Sequence, residues 1–170
     1  MRYLSKITIG FGLFIIISAS FMLQFLELLV KTLGNEALKL AFLAFFYIIL
    51  LIYTLYIIHN KLPLYVIGLS LICFGLGYLL ITKQEYFAEK VHVIEYGILG
   101  YLALRDLFKA KNRPIFMKFA YSLAFIILIG FLDEGFQWLL PYRVFELKDV
   151  ATNMLSGGLG IALCGFFKIR

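Results

Sequence analysis

Charge is what this sequence has least of. Only 15% of its 170 residues are Asp, Glu, Lys or Arg, against roughly a quarter in soluble domains. With 63% of the chain hydrophobic and a mean hydropathy of +0.96, an ordinary water-soluble domain is excluded. Cysteine is scarce as well. Cys73 and Cys164 both lie inside apolar runs, where they read as small packing residues, and no disulfide is implied. No glycine pattern of the Rossmann or P-loop kind occurs, and no low-complexity linker divides the chain. The net charge is +6, yet no basic patch alternates with exposed aromatics on a polar fold. Nucleic acid is therefore not an expected partner.

What the chain has instead is long apolar runs. Residues 7–30, 37–59 and 62–82 each reach the roughly 20 residues needed to cross a bilayer core. Three more runs follow at about 91–108, 114–140 and 148–167. The small-residue stretch Ser18-Ala19-Ser20 has the look of a signal-peptide cleavage site, but the apolar run continues ten residues beyond it. An uncleaved first membrane helix is the reading. Short links such as Gly34-Asn35 and Asn60-Lys61 suit tight helix connections. The expected fold is all-α: a single membrane domain over residues 1–170, a polytopic bundle of about six transmembrane helices.

Loop charges set the expected orientation. With the amino terminus inside, ten of the sixteen Lys and Arg residues fall on the inner side, five of them between Arg105 and Lys118. The positive-inside rule then places both termini in the cytoplasm. Nine of the ten carboxylates fall at the other end, Asp106 being the exception. An acidic mouth opening to the extracytoplasmic side is expected.

Polar groups inside a membrane span are costly, so their positions are informative. Four carboxylates (Asp133, Glu134, Glu146, Asp149) gather with Gln137, Arg143 and Asn153 around the junction of the fifth and sixth runs. On the fourth run, spacings of three and four put His92, Glu95 and Tyr96 on one helical face. A His–Glu pair at this spacing can share a metal or simply hydrogen-bond. Asp133 and Glu134 are adjacent, so one is expected to face the bundle and the other the interface. Their repulsion asks for a retained proton, a cation or Arg143. Glu134, Asp133 and His92 are the candidates for general acid or base. Solvated acids at a helix end are the plain alternative. Arg143 offers a fork for phosphate or carboxylate, or a salt bridge to Glu146 or Asp149. Asp149, Asn153, Gly157 and Gly160 form one stripe on the sixth run, with Asp149 complementing the helix dipole. The glycines read as packing residues. Lys118 is placed to snorkel.

In combination these elements are specific. H-x-x-E-Y at His92–Tyr96, D-E-x-x-Q at Asp133–Gln137, P-x-R at Pro141–Arg143 and D-x-x-x-N at Asp149–Asn153 occur in one order. The stretch they define, about residues 88–165, resembles the VanZ-like family. Two positions depart from its pattern: Tyr142 stands where a glycine is usual between the Pro and the Arg, and Ser156 replaces a glycine three residues after the Asn. The resemblance implies a bacterial cell-membrane protein associated with reduced susceptibility to teicoplanin and related lipoglycopeptides. The expected partners are membrane lipid and a lipid-linked cell-wall precursor or another envelope molecule.

In that setting Arg143, Gln137, Asp149, Asn153, Glu95 and Tyr96 become ligand-binding candidates. His92, Glu95 and Asp149 are the candidate ligands should a divalent cation be required. A non-catalytic binding or shielding protein and a small transporter are the competing readings. For the transporter, the inner half offers mainly basic loop residues.

Overall fold

Each apolar run folds as a helix in the computed structural model, which describes residues 3–141 and 143–168. Tyr142 lies outside the described residues, as do Arg2 and Arg170. Six helices follow one another: α1 (Lys6–Leu33), α2 (Asn35–Asn60), α3 (Leu64–Lys83), α4 (Phe87–Leu107), α5 (Ile115–Trp138) and α6 (Leu147–Lys168). No strand occurs among the described residues.

Local chemistry explains where the helices begin and end. The Ser5 side chain caps α1 by accepting the Thr8 N–H, which satisfies one of the four donors that a helix start leaves open. Gly34, at φ 83°, closes α1 and opens α2 within a single residue. That left-handed backbone is open to glycine at little steric cost. Pro63 and Pro114 sit immediately before α3 and α5, where the missing N–H removes nothing from the helix ladder. The fourth helix starts at Phe87, earlier than the apolar run suggests, so His92 lies in its second turn.

Five helices (α1, α2, α3, α5 and α6) are long and apolar enough to cross a membrane. The chain is a membrane protein by this measure. Its outward surface agrees, with Leu64 83% and Phe116 75% exposed, side chains that need lipid as their solvent. α4 is long enough but holds Glu89, Lys90, Glu95, Arg105 and Asp106, which lower its apolarity. It tolerates them because it is the most enclosed helix, packed against α1, α3, α5 and α6. The core cluster forms around it, from Tyr96, Leu99, Ala103 and Leu104 to Ile126, Ile129 and Ile15.

Lipid tails are as apolar as leucine, so close van der Waals packing must hold such helices together. Between α4 and α6 it is very close. A Cβ added at Gly100 would overlap the Gly157 carbonyl, and one at Gly160 would overlap the Gly97 carbonyl. Ser156 keeps its hydroxyl on its own helix, donating to the Thr152 carbonyl at 2.8 Å. It therefore fits this seam without a glycine. Cys73 and Cys164 are buried and form no disulfide. Lys118 is buried rather than snorkelling, with its ammonium 5.1 Å from the centre of the Phe108 ring. The reach to an aromatic face replaces the reach to water.

Candidate functional site

The polar site is built at the end of the bundle where α4 and α6 begin and α5 ends. The glycine seam draws α4 and α6 together. Helical spacing then aims His92, Glu95 and Tyr96 from one side and Asn153 from the other. His92 and Glu95 lie one turn apart and are bonded, Nδ1 to Oε2, at 3.0 Å. With Glu95 ionised, Nδ1 holds a proton and donates it, and in the neutral imidazole Nε2 then presents its lone pair. That Nε2 atom is buried and has no partner.

Both acids of the fifth helix turn inward, which corrects the expectation that one would face the interface. Asp133 is 0% exposed and Glu134 1%. Successive helix positions point about 100° apart, so the two meet different neighbours. Asp133 Oδ2 accepts from the Tyr96 hydroxyl at 3.0 Å, while its Oδ1 is buried without a partner. Glu134 accepts from Gln137 Nε2 at 3.3 Å and from the backbone N–H of Glu146 at 3.3 Å. The second bond ties the α5 carboxylate to the residue that precedes α6.

A cavity of about 10 Å³ lies among these groups, room for about one water or ion. Six expected residues line it: His92, Glu134, Gln137, Arg143, Asp149 and Asn153. Glu95, Tyr96 and Asp133 stand behind this lining. Glu95 bonds His92, and the fully buried Tyr96 donates to Asp133; neither lines the cavity itself. The acids foreseen as an open mouth divide. Glu89, Glu134 and Asp149 line the cavity, whereas Glu27, Glu36, Glu85 and Glu146 are exposed.

Arg143 makes no ion pair with Glu146 or Asp149, and its Nε is buried without a partner. Asn153 Nδ2 is likewise unmatched. Buried polar atoms are nearly always bonded. Five such atoms belong to residues that line the cavity (Gln84 Oε1, Glu89 Oε2, His92 Nε2, Arg143 Nε and Asn153 Nδ2), with Asp133 Oδ1 behind them, and they mark a place suited to water or a ligand. Chemically, the arrangement offers an oriented imidazole base, a carboxylate across from it, and a guanidinium for an anion. Among the described residues, no group of three or more His, Cys, Asp or Glu is placed to hold a metal ion. His92 and Glu95 are engaged with each other.

Two lining residues were not foreseen, Gln84 and Thr152, and Glu89 was expected at this end without being named for the site. Gln84 comes from the end of α3 and follows no motif. Glu89 and Thr152 were within reach of helical spacing, at i−3 from His92 and i+3 from Asp149.

The VanZ/LLP1 family model matches residues 11–168. The chain belongs to this family. The VanZ/LLP1 match takes in all six helices, well beyond the 88–165 stretch in which the motifs lie, so α1, α2 and α3 are part of the family's architecture. No curated protein and no solved structure matches the chain.

Proposed function

We propose that this VanZ-family protein acts in the bacterial envelope. There it binds or modifies a lipid-linked or anionic molecule and lowers susceptibility to teicoplanin and related lipoglycopeptides. The observation that supports this reading best is Arg143, whose Nε is buried without a partner and which makes no ion pair among the described residues, in one lining with a hydrogen-bonded His92 and a buried Glu134. Arg143 would hold the anionic group, Asp149 and Asn153 would orient it, and Glu134 or His92 would move a proton if bonds change. The distribution of loop charges supports an extracytoplasmic position for this end of the bundle, where a lipid phosphate or sugar of the outer leaflet would lie.

The test is a panel of conservative replacements, Asp133→Asn, Glu134→Gln, Arg143→Lys and Asp149→Asn, expressed in a susceptible bacterium. Each is expected to remove the protection against teicoplanin while membrane insertion stays normal. Full protection throughout the panel would overturn the reading.

The size of the cavity favours a second reading, a non-catalytic binding or shielding protein. A site of about 10 Å³ admits no head group without opening. Product formed from lipid-linked precursors by the purified protein would exclude this alternative. A transporter is the weakest reading, because at the opposite end the one carboxylate, Asp106, is closed into a knot of hydrogen bonds.

A further inference from the structure

A second cavity lies on the opposite face of α4 from the polar site. It measures about 630 Å³, within the ~300–1,000 Å³ usual for small-molecule sites. Four helices line it: α2, α3, α4 and α6. It exists because α2 stands away from the bundle, with only Leu38 and Tyr53 of its residues buried. Aromatic contacts bridge the gap at intervals, including Phe42 on Phe87 and Phe46 on Tyr78. Toward the other end of α2, Tyr53 packs edge-on against Phe74 and Phe167, which closes the space.

Two properties identify an occupant. The first is shape. On α2 the lining runs from Lys39 to Ile49, a rise of about 15 Å, half of a ~30 Å hydrocarbon core. A space of that depth takes the acyl chain of one leaflet. The second is charge. Of all the lining residues only Lys39 and Lys90 are charged. They sit near the starts of α2 and α4, so both belong to the same end of the bundle. Lys90 has no carboxylate partner among the described residues; its ammonium rests 5.0 Å from the Phe87 ring centre. Lys39 pairs with Glu36 at 2.7 Å, but both side chains are mostly exposed, and such a pair holds weakly.

We propose that this groove seats an anionic membrane phospholipid, with its acyl chain between α2 and the α4–α6 pair and its phosphate held by Lys39 and Lys90. The apolar walls exclude a water-soluble ligand, and the two lysines select a negative head group. The lipid adjoins the polar cavity across the first turns of α4, where Glu89 lines that cavity and Lys90 lines the groove. This goes beyond the proposed function, because it places a bound lipid at a site separate from Arg143.

The experiment is native mass spectrometry of the full chain in detergent, supplied with equal amounts of dioleoyl phosphatidylglycerol and dioleoyl phosphatidylcholine. The same phosphatidylglycerol, with a photoreactive group on its acyl chain, maps the contacts by cross-linking. Retention of the anionic lipid about tenfold over the zwitterionic one is expected, with cross-links on the facing sides of α2, α3, α4 and α6. The double variant K39Q/K90Q alters exposed or half-exposed ends of side chains and should erase the preference without unfolding the protein. Gly77→Phe, which fills the groove from α3, should abolish retention and cross-linking.

Equal retention of the two lipids would overturn the proposal. So would cross-links spread evenly over the outer faces of α1 and α5, or a dimer mass showing that a second copy covers the groove. Arg143→Lys should retain lipid as the native chain does. Loss of lipid in that variant would assign the phosphate to the polar cavity and overturn the assignment to Lys39 and Lys90.

Discussion

The two ends of the bundle treat buried carboxylates in opposite ways. At one end Asp106, fully buried, accepts from the Ser5 backbone N–H at 2.9 Å and from the Thr8 hydroxyl. It also accepts from Arg105 Nη2 at 3.3 Å and Lys109 Nζ at 2.9 Å. One carboxylate thus meets four donors at the start of α1 and the end of α4, and among the described residues Arg105 Nε alone is a buried side-chain atom left unmatched there. At the other end Asp133 accepts from the Tyr96 hydroxyl and leaves one oxygen bare, near equally bare atoms of His92, Arg143 and Asn153. A satisfied network locks structure, whereas unmatched buried groups weaken it. The contrast marks the Asp106 end as a clamp and the Asp133 end as the candidate site.

Substitutions can break this contrast. The largest expected effect is Asp106→Ala, which removes the shared acceptor of the Thr8 hydroxyl, the Ser5 N–H and Lys109 and should cost about 3 kcal/mol. Thermal unfolding in detergent reads it, and a variant as stable as the native chain would remove the clamp. Next is Gly100→Ala, where the new methyl meets the α6 backbone and should cost about 2 kcal/mol. Gly97→Ala makes only ordinary contact with the Ser156 carbonyl, at 3.8 Å, and should be nearly neutral. Equal losses for the two would show that the seam is not tightest where the structure puts it.

Tyr96→Phe leaves Asp133 with no donor from α4 and should destabilise the protein by about 1 kcal/mol. The smallest change in stability is expected for Glu134→Gln. It replaces a buried carboxyl group held by two long hydrogen bonds with an amide of the same shape, so the unfolding temperature should stay level or rise. On the proposed function, protection against teicoplanin should nonetheless fall. A large loss of stability in this variant would make both ends clamps and end the comparison.

Much of the fold is legible in the order of residues. Every run of apolar residues became a helix, and Gly34, Pro63 and Pro114 stand where the helices stop and start. His92 and Glu95 pair as their spacing of three allows, and the glycines of α4 and α6 meet backbone to backbone. The family match confirms the resemblance drawn from His92, Asp133, Arg143 and Asn153 and extends it to the first three helices. Other features were hidden. Neighbouring acids on one helix give no sign that both will be buried, because that depends on Tyr96 of α4 and the Glu146 backbone arriving on two sides. Gln84 could not be assigned to the cavity, since nothing local relates the end of α3 to the start of α6.

The sequence by itself determined that the chain needs lipid, that it crosses as helices, and that polar residues concentrate near the junction of α5 and α6. These follow from composition and period, which act over one helix at a time. Only the tertiary structure decided which of those polar residues share a cavity, which stand behind it, and which atoms remain unmatched. It also decided that α2 stands apart and leaves a groove with two lysines at its mouth. Such outcomes depend on how closely helices approach, and at the α4–α6 seam that distance is set by glycines, through the side chains they lack.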